Sequence, residues 1–164
     1  MAITRTEVEH FTVISSRRFE NVVDSFRAAV GQPDMLQFSK ATAGAKTFAE
    51  FKKVVEKGLG RTDLMIFLEL DQGAVLQKES GEGGQKIVRF ITGNPLIMKE
   101  MVKHVPDAGA YAPVTVLIDE RADGVHLSYD RMASFLAPYK NDQALAVARD
   151  LDSKVETLLR EIAQ

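Results

Sequence analysis

The chain has 164 residues, 45% of them hydrophobic and 27% charged, and carries a formal net charge of −2. That length suits a single domain whose core buries roughly 70% of the surface its unfolded form exposes. The absence of cysteine excludes disulfides, thiolate catalysis, zinc–cysteine sites and iron–sulfur clusters, and the lack of a basic tract argues against a nucleic-acid partner.

In chain order, Val8 to Ile14 alternates loosely and reads as a first strand. Ser15 and Ser16 are candidate N-caps for a helix carrying Phe19, Val22, Val23, Phe26 and Val30, which Gly31 ends. Met35 to Ala43 fits neither template cleanly. A second helix starts near Thr47, with Phe48, Phe51, Val55 and Leu59 on one face. Leu64 to Leu70 (LMIFLEL) is short and almost continuously apolar, the pattern of a central strand buried on both faces. The glycine-rich SGEGG, Ser80 to Gly84, reads as a flexible hairpin connection to a return strand over Ile87 to Ile91.

Gly93-Asn94-Pro95 then opens a helix carrying Leu96, Met98, Met101, Val102 and Val105, with Pro106 at its end. Val114 to Ile118 and Val125 to Tyr129 flank Ala122-Asp123-Gly124, a strong short-range hairpin signal. A last helix starts near Asn141 with an apolar stripe of Leu145, Ala148, Leu151, Val155, Leu158 and Ile162. Strands arriving as hairpins between helices predict an α+β fold: one antiparallel sheet of about five strands, with helices mostly on one face.

Catalytic motifs are sparse. Gly93-Asn94-Pro95 has a local structural reason at each position: a sharp turn, an N-cap and a first helical residue. Anion binding at the helix start is the functional alternative, but neither a Walker-type loop nor GxGxxG is present. His10, His104 and His126 lack metal-pair spacing, so neither a metal nor a cofactor is expected. Tyr111, Tyr129 and Tyr139 fall at element edges, where packing accounts for them and pocket lining is the alternative. Met98, Met101 and Met132 offer an adaptable pocket wall or ordinary core filling. Glu69 and Asp71 lie on an apolar strand, where a buried carboxylate needs a partner.

"GNPLIMKEM", "AGAYAPVTVLID" and "DGVHLSYD" together resemble DUF302, a bacterial and archaeal domain family of unknown function. The matching positions are Gly93, Asn94, Pro95, Pro113, Tyr129 and Asp130, and "MIFLELDQGAVL" resembles the family's earlier strand, with Gln72 where the family often has His. The resemblance covers residues 60 to 140 best. It implies a compact α+β fold of the TATA-binding-protein-like class and pairing into homodimers, since the family includes tandem copies. It supplies no activity and no catalytic residue.

The resulting expectation is a domain that binds a small molecule in a groove between sheet and helices, walled by Asn94, Tyr111, His126 and Tyr129. The alternatives are a homodimeric interaction module without ligand, and an enzyme whose acid–base pair is not visible in sequence. No stretch reaches the roughly 18 apolar residues of a membrane span, and MAITRTEVEH has no apolar run of signal-peptide length. A cytoplasmic protein with no membrane partner is expected.

Overall fold

The structure, a computed structural model, describes residue 3, residues 5–81 and residues 83–164. Its centre is a five-stranded antiparallel sheet in the order β1-β5-β4-β3-β2. The strands are β1 (His10–Ser15), β2 (Met65–Asp71), β3 (Ile87–Gly93), β4 (Val114–Arg121) and β5 (Gly124–Asp130). β2 and β3 are adjacent and antiparallel, and β4 meets β5 across the Asp123-Gly124 turn, both as the sequence predicts.

The α+β expectation holds. Strand alternation sends Val88, Phe90, Val116, Ile118, Val125, Leu127 and Tyr129 to one side, where all are buried. That side is covered by α1 (Phe19–Ala29) and by the long α7 (Asp142–Ala163). The apolar stripe of α7 is consumed by the protein's own core: Leu151, Val155, Leu158 and Ile162 are buried there. Asn141 caps this helix through its Oδ1, which accepts from the Ala144 N–H at 2.9 Å.

The same alternation leaves Thr12, Ile14, Leu68, Leu70, Arg89, Thr115, Leu117, His126 and Ser128 on the opposite side. Ile14 and Leu68 are about half exposed there.

Three local expectations need correction. β2 is an edge strand, not a central one; its continuous apolarity reflects two different coverings, since Leu64 and Met65 are buried while Leu68 and Leu70 are exposed. Ser15 and Ser16 do not cap α1, whose N-cap is Arg18. The Ser15 hydroxyl instead donates to the Ala163 carbonyl at 2.6 Å, tying β1 to the end of α7. The chain between β2 and β3 is not a simple hairpin loop, because it holds α4 (Gly73–Ser80), whose first turn donates the Ala74 N–H to Asp71 Oδ1. Of the SGEGG stretch, Glu82 lies outside the described residues, while Gly81 and Gly83 take positive φ.

Met35–Gly44 is a helix, α2, with Asp34 accepting from the Gln37 N–H at its start. α3 (Phe48–Gly58) follows Thr47 as its N-cap. Between α3 and β2 the backbone closes tightly on itself. The Gly31 and Gly60 N–H groups both donate to the Leu64 carbonyl, each at 2.9 Å. A Cβ at Gly31 would stand 2.0 Å from the Gly58 oxygen, so only glycine fits.

Candidate functional site

β3 ends at Gly93, and α5 (Pro95–Val102) begins at once. Asn94 does two jobs in that corner. Its Oδ1 accepts from the Leu96 N–H at 2.8 Å, and its Nδ2 donates to the Asp63 carbonyl at 2.9 Å. Both ends of the amide are therefore committed to the fold: one caps α5, the other fixes α5 to the loop before β2. This answers the alternative posed by Gly93-Asn94-Pro95 in favour of a structural corner.

The corner nevertheless borders a cavity of about 440 Å³. Gly93 and Pro113 form its floor, Phe67 one side, and Ile97, Met98 and Met101 the helical wall. Polar surface is almost absent, because the one amide in the lining is already satisfied on both sides. A Cβ added at Gly93 would meet Pro113 Cβ at 3.4 Å and Phe67 Cε2 at 3.7 Å, so this glycine sets the depth of the cavity and not a strained turn.

The other three residues expected at a site lie elsewhere. Tyr111 follows a short 3-10 turn, Pro106–Ala110, and its ring stacks on Phe135 with centroids 4.9 Å apart. Its hydroxyl lies 3.1 Å from that of Tyr139, and this bond pushes the Tyr139 hydroxyl well above its ordinary range.

His126 is buried on the side of the sheet away from α1 and α7, near the β4–β5 turn. Its Nε2 lies 2.9 Å from Asp123 Oδ1, which holds the Asp123 carboxyl below the usual range. The other ring nitrogen, Nδ1, is buried without a partner among the described residues.

Tyr129 is a core residue, 1% exposed. Its hydroxyl donates to Asp152 Oδ1 at 2.6 Å; burial and then the Asp152 charge drive its ionisation far above the ordinary range. Asp152 also accepts from the Met132 and Ala133 N–H groups at 2.7 and 3.0 Å, and so holds the start of α6 (Met132–Leu136). Burial raises the Asp152 carboxyl despite these donors. Asn94, Tyr111, His126 and Tyr129 thus do not share one groove wall: Asn94 alone borders the apolar cavity.

A broader and more open hollow of about 740 Å³ lies over α6 and α7, beside Glu9, Arg131, Arg149 and Glu156. Arg131 spans it, with Nε 2.6 Å from Glu156 and Nη1 3.0 Å from Glu9. Charges that satisfy each other in this way tie the segment before β1 to α7. The half-buried carboxylate Glu69 on β2 is likewise paired: it accepts from both Nε and Nη2 of Arg27 on α1.

Sequence reasoning missed Arg89 as a functional candidate. It sits mid-strand on β3 between apolar neighbours, and that lone cation was the available signal. It also missed Phe67 and Pro113, whose role depends on which elements meet at the sheet's end. Among the described residues, no helix is long and apolar enough to cross a membrane.

No curated protein matches the chain. Among solved structures it is similar to an uncharacterised conserved DUF302 protein from Bacillus stearothermophilus, with a TM-score of 0.64 over 94% of this chain and 98% of that one. Sequence identity is 10%, so this likeness establishes the fold alone. The model of the domain of unknown function DUF302 matches residues 38–162, which takes in every strand but β1 and every helix but α1 in full or nearly so. The chain belongs to the DUF302 family.

Proposed function

We propose that this domain binds a small, uncharged, predominantly apolar molecule in the cavity beside Gly93 and Asn94. The observation that carries the reading is the chemistry of the walls: about 440 Å³ of space lined by Phe67, Ile97, Met98, Met101 and Pro113, with no unsatisfied side-chain polar group offered to a ligand. Cavities of this size and lining are the usual form of small-molecule sites. Methionine side chains adapt to ligand shape, which suits a wall made of Met98 and Met101. An ion or a sugar would lose its hydration here without replacement partners.

Native mass spectrometry of the purified chain, with an NMR titration by a small hydrocarbon-rich alcohol, tests this. Saturable shifts at Gly93, Met98 and Met101 are expected, and Gly93→Ala should weaken them by shrinking the floor. Shifts that never saturate, or that ignore Gly93→Ala, would defeat the reading.

A second reading, a homodimeric module, is favoured by a different observation. Ile14, Leu68 and Leu70 are exposed on the side of the sheet away from α1 and α7, and Leu117 is half-buried among them. A sheet face of this kind is a natural surface for a second copy.

A further inference from the structure

The side of the sheet away from α1 and α7 holds a charge that no carboxylate among the described residues pairs with. Arg89 is half-buried on β3, opposite Leu117 of β4 and Leu70 of β2. Its Nη2 donates to the Thr115 hydroxyl at 3.2 Å, and its Nε is buried without a partner among the described residues. Arg27, a half-buried arginine on α1, is held by two carboxylates, Asp24 and Glu69. Among the described residues Arg89 has a neutral hydroxyl as its one side-chain partner. A half-buried guanidinium in that position gains strongly from an anion, because charge-assisted hydrogen bonds strengthen as water is excluded.

Space for one exists. Two hollows of about 250 and 240 Å³ meet at Arg89, Thr115 and Asp130. The first is walled by the stacked rings of Tyr111 and Phe135 together with Pro113 and Met132. Asp130, the one carboxylate in the shared lining, is turned to His10, whose Nδ1 lies 2.6 Å from its Oδ1. A partly aromatic hollow of mixed polarity, with a cation in its lining, matches a molecule with a flat apolar body and one acidic group.

We infer that Arg89 and Thr115 form the anchoring end of a second binding site, specific for small carboxylates whose apolar or aromatic body lies against Tyr111 and Phe135. The fork of a guanidinium pairs naturally with a planar carboxylate, while the aromatic wall selects the body. This site is separate from the neutral cavity at Gly93. Pro113 and Val114 border both, one on each side of the segment entering β4.

Benzoate is a suitable probe, with benzyl alcohol as its neutral counterpart, titrated into the full chain by calorimetry and NMR. Saturable benzoate binding with shifts at Thr115 and Tyr111 is expected. Benzyl alcohol at this site and benzoate on Arg89→Gln should each bind at least about tenfold more weakly. Asp130→Asn, which removes the negative wall and leaves Arg89 untouched, should tighten benzoate severalfold, and serves if Arg89→Gln fails to fold. Equal binding of the acid and the alcohol, or benzoate affinity unmoved by either substitution, would overturn the site. So would a chain that dimerises through this face, loses the dimer on Arg89→Gln and ignores benzoate, since the missing anion would then belong to a second copy. Failure of the Gly93 cavity to bind neutral ligand leaves these readouts unaffected.

Discussion

The Tyr129 hydroxyl and Asp152 Oδ1, 2.6 Å apart, link the middle of the sheet to the long C-terminal helix inside the core. Asp152 is raised by burial above its ordinary value of 3.8, while the Tyr129 hydrogen bond pulls it back toward ionisation. A raised folded-state pKa means that this carboxyl's contribution to stability is full below its unfolded pKa and is lost as pH rises through the folded one. Tyr129→Phe removes a donor that favours the charged form, so it raises the Asp152 pKa further. The variant should therefore be destabilised more at pH 7 than near pH 4, by about 1–3 kcal/mol at the neutral end. Urea unfolding at the two pH values reads this; a penalty that shrinks as pH rises would contradict the account.

Asn94→Ala removes a helix cap and a tether at once, and should cost about 1–2 kcal/mol in chemical denaturation. Asn94→Asp separates the two roles. It keeps the Leu96 cap, loses the donor to the Asp63 carbonyl, and sets a carboxylate oxygen against that carbonyl. Asp should therefore recover less than Asn provides. Full recovery would show that the cap alone matters.

Much of this architecture was legible from pattern. Period-two alternation over Val125 to Tyr129, and the Asp123-Gly124 turn, gave the β4–β5 hairpin because turn chemistry acts locally. The stripe of α7 was legible for the same reason: its spacing is a property of one helix. The edge position of β2 was not, because a strand's neighbours are set by the whole sheet, and LMIFLEL reads alike whether covered by strands or by loops. α4 escaped notice because its apolar residues make no core face; Val75 is 68% exposed. Of the four candidate site residues, Asn94 was correctly read as a cap. The separation of Tyr111, His126 and Tyr129 onto opposite sides of the sheet and its end is a tertiary fact that spacing alone does not encode.

Gly31→Ala should destabilise by about 2–3 kcal/mol, the scale of forced overpacking, since the new methyl group meets backbone and not a side chain that can turn away. Gly44→Ala is the control: nothing lies within 4 Å of the added carbon, so the exposed helix end should gain or lose little. Thermal melts of the two variants side by side should differ by several degrees. Similar melts would mean that the Gly31–Gly60 contact is loose in solution.

Assembly has its own test. If a second copy covers the side of the sheet away from α1 and α7, Leu68→Lys combined with Leu70→Lys should convert a dimer to an 18.1 kDa monomer in sedimentation at micromolar concentration without altering the far-ultraviolet spectrum. A wild-type chain already monomeric across dilution removes the dimer reading. A dimer indifferent to both lysines moves the interface off this face.

The sheet order also has a consequence for how the chain comes into being. β2, β3, β4 and β5 each pair with the strand next to them in sequence, but β1 touches only β5, with His10 opposite Asp130. On a ribosome adding about 5–20 residues per second, β1 emerges roughly 6–24 s before its hydrogen-bonding partner is made. Its last residue waits longer still, because Ser15 is latched by Ala163, which lies well beyond β5 in the chain. Within this sheet the earliest strand is thus the last to be docked, and until then its apolar Phe11 and Val13 are available to chaperones or to a neighbouring nascent chain.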